Sequence, residues 1–204
     1  MISIVDFGIG NLGSVSNMLN YIGAPNKIIS SSDEILAATK LILPGVGNWD
    51  HGSTKIQQSG LKSALDEAVL ISRVPILGIC LGMQLLTERS EEGILPGLGW
   101  IPGSVVKFRS AVTKKGLRIP HMGWNMVRVV KQSALTDQLA EDARFYFVHS
   151  YHMECNDSDD VLMVASHGYE FTCAVQRDNI WGVQFHPEKS HKFGVEFMKL
   201  FSEI

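Results

Sequence analysis

A cysteine, a histidine and a glutamate in this chain have the local spacing that acyl transfer uses. Cys80 lies in Gly78-Ile79-Cys80-Leu81-Gly82, where the apolar run from Val74 to Ile79 gives way to a helical pattern. A nucleophile on a sharp strand-to-helix turn is crowded by its neighbours, and glycines two residues to either side remove the side chains that would collide. The turn also opens a helix predicted over 81–89, whose unpaired N–H groups and positive dipole end favour a thiolate. Most buried cysteines are inert packing, so on this pentapeptide alone a core residue and a nucleophile stand even.

A thiolate that attacks an acyl group needs a general acid–base and a group to orient it. The stretch WGVQFHPEKS at 181–190 holds both candidates, His186 and Glu188, on either side of one proline at a predicted strand end. In extended backbone, residues i and i+2 project to one side with Cα atoms about 6.5–7 Å apart, so Glu188 can bond one imidazole nitrogen and leave the other free. Pro187 fixes φ and limits the slack. The oxyanion needs two donors. One is the N–H of Leu81. The other comes from Pro44-Gly45-Val46-Gly47, at the predicted carboxyl end of the third strand, where the glycines let the peptide between Gly45 and Val46 reorient.

The elements around these groups follow from periodicity. Up to about residue 98, short apolar runs (ISIVDF, KIIS, KLILP, PILGI) alternate with helical patterns (SVSNMLNYI, SSDEILAA, GLKSALDEAVLIS, GMQLLTERS), which predicts βαβ units and a parallel sheet covered on both faces. Ser31 followed by Glu34 predicts a capping box at the second helix. From residue 99 onward, strands follow one another through turns (WIPGSVVKF, RIPHMGWNMVRVV, RFYFVHSYHM, VLMVASH, EFTCAVQ, NIWGVQFHPE) before a last helix in KFGVEFMKLFSEI. The expected fold is α/β: a mostly parallel central sheet flanked by helices, with antiparallel strands added, in a single domain over 1–204.

Composition excludes several classes. Lys plus Arg number 18 against Asp plus Glu 21, without a basic run, so no nucleic-acid partner is expected. No apolar run approaches the ~20 residues of a membrane span, and the N-terminus lacks the basic segment of a secretion signal, so a cytoplasmic protein is expected. Three cysteines without CxxC spacing and seven histidines without ligand spacing predict neither disulfides nor a metal, and no cofactor is expected.

Taken together, PGVG at 44–47, GICLGMQLL at 78–86 and GVQFHPEKS at 182–190 resemble the class I glutamine amidotransferases, whose fold is flavodoxin-like. The resemblance covers essentially the whole chain. Within that family, DFGIGNLGSV at 6–15, IPHMGWN at 119–125 and FYFVHSY at 145–151 are most similar to the glutaminase subunits of imidazole glycerol phosphate synthases. The resemblance implies hydrolysis of L-glutamine to glutamate and ammonia, with Cys80 forming a γ-glutamyl thioester and His186, oriented by Glu188, as acid–base. It implies glutamine recognition by Gly47, Gln84, His149, Ser150 and Tyr151, while Tyr146 and His152 read equally as sheet residues. It also implies a (β/α)8-barrel cyclase subunit that receives the ammonia in histidine biosynthesis. Around the site mouth, His121, Trp124, Asn125 and Lys189 are candidate interface residues; Trp124 reads nearly as well as core packing.

Other readings remain at this point. NWDHGSTKI, SHKFG and SEEGILPGLGWI also resemble amidotransferases encoded with surface-polysaccharide genes, which supply a sugar amidotransferase; the chemistry on this chain is then unchanged and only the acceptor differs. A cysteine peptidase or γ-glutamyl hydrolase of related fold would share elbow and histidine, and a partner-binding scaffold would not need all three of Cys80, His186 and Glu188.

Overall fold

The computed structural model describes residues 1–204. Along the chain run β1 (Ile2–Val5), α1 (Leu12–Tyr21), β2 (Asn26–Ile29), α2 (Ser32–Leu36), β3 (Leu41–Gly45), α3 (Trp49–Ser59), α4 (Lys62–Asp66), β4 (Ile76–Cys80), α5 (Leu81–Gln84) and β5 (Arg89–Ser90). There follow β6 (Gly103–Lys107), α6 (Ala111–Lys114), β7 (His121–Val129), β8 (Arg144–His149), β9 (Tyr151–Cys155), β10 (Val161–Ser166), β11 (Glu170–Arg177), β12 (Ile180–Val183) and α7 (His191–Glu203).

The main sheet has the order β2-β1-β3-β4-β12-β11-β10-β7-β8. Its first five strands pair in parallel and the remainder antiparallel; β12, although it follows the change of pattern at residue 99, joins the parallel set by pairing with β4. The β9 strand leaves this path and pairs with β11 and β6. Alternate residues of the parallel strands face opposite cores. Ile4, Ile42 and Leu77 meet Val15 and Leu19 of α1 and Phe197 and Phe201 of α7; Val5, Leu41 and Ile76 meet the side of Ile35, Ile56 and Leu65. Burial on both faces is why these strands read as unbroken apolar runs. No helix is long and apolar enough to cross a membrane.

Three local departures have identifiable causes. Helix α3 is an addition: Asn48 caps it by accepting the His51 N–H at 2.9 Å, and Gly60, at φ +70°, ends it. Asp66 leads directly into a π-helical turn, Glu67–Ile71, so the predicted continuous helix changes its hydrogen bonding midway. At α2, Ser31 accepts the Glu34 N–H as the capping box requires, but the Glu34 carboxylate reaches back to Ser30 rather than to the cap residue's own N–H.

Lys40 ties the start of β3 to the end of α7. Its ammonium, largely withdrawn from water, donates to the carbonyls of Phe201 at 3.0 Å and Ser202 at 2.8 Å, which have no intrahelical partner there. Replacing it with an apolar side chain of similar length leaves both carbonyls wanting. Lys40→Met is expected to cost about 1–2 kcal/mol in urea denaturation; an unchanged midpoint would show that this cap adds nothing.

Candidate active site

Cys80 is the last residue of β4, at the carboxyl edge of the parallel strands and opposite Gly45 in the β3–β4 register. Its backbone stands at φ +56°, ψ −111°, a conformation that costs a side-chain-bearing residue about 1–3 kcal/mol. The surrounding glycines show what maintains it. A Cβ on Gly78 would stand 2.8 Å from the Gly82 oxygen and the Met83 nitrogen, one on Gly82 would overlap the Leu43 carbonyl oxygen, and one on Gly45 would stand 2.7 Å from the Gly82 nitrogen. Backbone meets backbone at all three points, which is the crowding the elbow spacing predicts.

The helix after the elbow is shorter than expected. It spans Leu81–Gln84 and does not continue to Arg89. The carbonyls that would extend it are taken by the returning segment 97–101: Leu98 N–H bonds Leu85 O at 2.8 Å, Trp100 N–H bonds Leu86 O at 2.9 Å, and Gly99 N–H bonds Thr87 O at 3.0 Å. A single turn contributes little macrodipole, so stabilisation of a thiolate falls to side chains around the sulfur.

The first of these is His186. Strand β12 ends at Val183, and Pro187 opens a 3-10 turn over Pro187–Lys189, so Glu188 reaches the imidazole by a turn and not along extended backbone. The pairing survives this change of route: His186 Nδ1–H donates to Glu188 Oε1 at 2.8 Å, with both side chains buried. The other ring nitrogen is left free, with Cys80 near enough to strengthen its hold on a proton. The loop is pinned by β8, because His186 N–H donates to the Tyr146 carbonyl at 2.9 Å and Ser190 Oγ accepts the Tyr146 N–H at 3.0 Å while donating to the His186 carbonyl. Burial works against charge on this ring, but its polar interactions with Cys80 and Glu188 outweigh it and raise His186 to about 9.

On the other side of the sulfur, β3 ends at Gly45, and the N–H groups of Val46 and Gly47 have no hydrogen-bond partner in the chain. Gly47 holds φ +109°, where a side chain would be strained. Trp49 N–H donates to Glu92 at 2.9 Å and fixes the loop's far end. The Leu81 N–H belongs to the first residue of α5, directly after Cys80.

Gln84 lies beneath the elbow and donates to Gln184 Oε1 at 2.9 Å and to the Tyr151 carbonyl at 3.3 Å. That carbonyl also accepts His149 Nδ1–H at 2.7 Å. His149 Nε2 therefore accepts from His121 Nδ1–H at 3.0 Å, and His121 Nε2 accepts from Asn125 at 3.1 Å. The His121, His149, His152 and His167 rings surround Phe108 with centroids 5.0 to 6.2 Å from it. Burial lowers His121 to about 4 and takes His149 well below the usual imidazole range. Ser150 is half-buried, and its carbonyl accepts the Phe108 N–H at 3.1 Å.

The four expected interface residues divide between two faces of β7 and the loop after β12. His121, 5 % exposed, and Asn125 point inward into the histidine cluster, because successive residues of a strand face opposite sides. Trp124, 46 % exposed, faces outward, stacked on His191 with centroids 5.5 Å apart, and Lys189 is exposed at the site edge. Trp124 is thus not core. Gln184 is a site residue that the sequence motifs did not single out: fully buried, it stands 3.7 Å from Cys80 Sγ. Its position two residues before His186, on the same side of the chain, was the available signal.

This arrangement of elbow cysteine, buried His–Glu pair and glycine loop sits on a fold that matches known proteins over its full length. The profile "Glutamine amidotransferase class-I" matches residues 3–202, and the chain belongs to that family. A solved glutamine amidotransferase structure superposes with a TM-score of 0.74 over 98 % of each chain at 16 % identity, which establishes the shared fold. Two curated relatives are nearer in sequence: "Imidazole glycerol phosphate synthase subunit HisH" of Bdellovibrio bacteriovorus, 49 % identical over the whole of both chains, and "Imidazole glycerol phosphate synthase subunit HisH 2" of Methanococcus maripaludis, 51 % identical over 98 % of each. Within the class I amidotransferases the chain therefore belongs with the HisH subunits.

A histidine raised by its partners binds its proton more tightly folded than unfolded. The stability it contributes is fully present below about pH 6.5 and is lost as pH rises through about 9. By NMR, His186 is expected to titrate near 9, and Glu188→Gln to move the midpoint downward. Titration near 6.5 in the unmodified chain would contradict the coupling.

Proposed function

We propose that the chain hydrolyses L-glutamine to glutamate and ammonia at Cys80 and supplies the ammonia to a (β/α)8-barrel cyclase subunit in histidine biosynthesis. The single observation that carries the reading is the buried His186–Glu188 pair beside a cysteine on a strained turn. Structural cysteines need neither feature.

The steps follow from the protonation states. With His186 raised to about 9, the imidazolium is the main form at neutral pH, and the sulfur beside it can react as thiolate. Sγ attacks the carboxamide carbon of glutamine, and the carbonyl oxygen takes the negative charge. Donors for that oxygen are the Leu81 N–H and the unpaired N–H groups of Val46 and Gly47. His186 gives its proton to the leaving nitrogen, the C–N bond breaks, and ammonia departs from a γ-glutamyl thioester. The now neutral imidazole takes a proton from water, the hydroxide adds to the thioester, and the C–S bond breaks to release glutamate and restore the pair. Glu188 holds the ring's orientation throughout. Glutamine is held by Gly47, Gln84 and the segment His149-Ser150-Tyr151, with His149 acting from below through the Tyr151 carbonyl.

The acceptor docks on the outer face of β7 and β8. Met122 and Met126 lie on either side of Trp124, with Val148 and Tyr146 opposite Met122 and Trp124 in register, which makes an exposed apolar patch. Exposed aromatic and methionine side chains of this kind are the usual anchors of an interface.

The test is ammonia release from glutamine in the presence of a barrel cyclase. Cys80→Ser is expected to lower stimulated turnover by roughly a thousandfold or more, and Trp124→Ala to weaken the complex by about 2 kcal/mol. Full activity of Cys80→Ser would overturn the mechanism. Stimulation by a sugar amidotransferase and not by the cyclase would keep the chemistry and replace the acceptor.

A further inference from the structure

Sγ of Cys80 has a second polar neighbour that the triad does not account for. Gln184 is fully buried and comes from the same segment as His186, two residues earlier, so both side chains approach the sulfur from the β12 end. Its amide has one donor end and one acceptor end, and no water-exposed surface on which either can be satisfied. The acceptor end is occupied: Gln84 donates to Gln184 Oε1 at 2.9 Å. That leaves the NH2 group of Gln184 turned toward the sulfur, at 3.7 Å.

We propose that Gln184 is a positioning residue for the reaction at Cys80, holding the sulfur in place as a thiolate with an N–H that Gln84 keeps pointed at it. The proposal rests on Cys80 being the nucleophile. An N–H donor is strengthened when its acceptor becomes charged, so the contact favours the ionised sulfur over the neutral thiol. His186 and Gln184 thus meet the sulfur from the same end of the site, one as acid–base and the other as a fixed donor.

What makes the amide rigid is the network behind it. Gln84 can keep its NH2 toward Gln184 because its other N–H bonds the Tyr151 carbonyl, and that carbonyl is shared with His149 Nδ1–H. The only proton arrangement of His149 and His121 that satisfies every contact runs from Asn125 through His121 to His149 and ends at that same oxygen. Donors arrive at the Tyr151 carbonyl from both sides, so neither Gln84 nor His149 can flip without leaving a buried polar group unpaired. The buried His121–His149 pair thereby keeps the floor of the site in a single hydrogen-bond orientation.

The measurement is the rate at which iodoacetamide alkylates Cys80 in the full chain, followed across pH by mass spectrometry of the Cys80 peptide. It is independent of glutamine turnover, so failure of the glutaminase reading and failure of this proposal are separable. Gln184→Met keeps the side-chain length and removes both the donor toward the sulfur and the acceptor for Gln84; its alkylation profile is expected to move to higher pH, with a several-fold slower rate at pH 7. Gln184→Glu keeps an acceptor for Gln84 but places a carboxylate against the sulfur, and is expected to slow alkylation further. A role in packing alone would alter the melting temperature and leave the profile where it was. If both variants fold poorly, the unmodified chain still decides: the Gln184 side-chain amide resonance should shift with pH along the alkylation profile. Superimposable profiles for wild type and Gln184→Met, or an amide resonance that stays fixed while alkylation rises, would overturn the proposal.

Discussion

Backbone packed against backbone at the carboxyl ends of β3 and β4 is the constraint on which the rest depends. Gly45, Gly78 and Gly82 let the first turn of α5 descend onto the two strands until carbonyls and amides nearly touch. In that space the chain reverses only through the strained conformation at Cys80. The side chain is thereby lifted off the sheet edge toward the Gly45–Gly47 loop, to where β12 delivers Gln184 and His186. The strain is local and is offset by the two apolar cores, which bury both faces of the parallel strands.

The same side chain is used in two opposite ways a short distance apart. His186 is buried, yet Glu188 and Cys80 keep it protonated at neutral pH. His121 and His149 are also buried, but their partners are each other, the Asn125 amide and the Tyr151 carbonyl, and burial leaves them neutral. What separates them is the partner and not the depth. A neutral pair can pass a fixed donor–acceptor polarity along the floor of the site without placing a positive charge there, while the one imidazolium stands where a proton has to be delivered.

Much of this was legible in the sequence because it is written in local spacing. The elbow glycines, the His-x-Glu pair, PGVG and the change from parallel to antiparallel pattern are all short-range signals, and each corresponds to a feature of the fold. The misread parts depend on distant segments. Helix α5 stops early because residues 97–101 return to take its carbonyls, which nothing in GMQLLTERS announces. The inward turn of His121 and Asn125 depends on the strand's position in the sheet, since a one-residue change of phase exchanges the faces. Gln184 went unnoticed because an amide carries no chemistry by itself; its contact with Cys80 spans more than a hundred residues of chain.

The central claim is that Cys80 attacks the glutamine carboxamide and carries the glutamyl group. The most direct test is to quench the complex of this chain with its acceptor enzyme in acid during steady turnover of glutamine and to map adducts by peptide mass spectrometry. A γ-glutamyl thioester on the Cys80 peptide, absent from Cys80→Ser and lost on adding hydroxylamine, is the predicted result. Sustained turnover with the Cys80 peptide unmodified, or with the adduct on another residue, would contradict it.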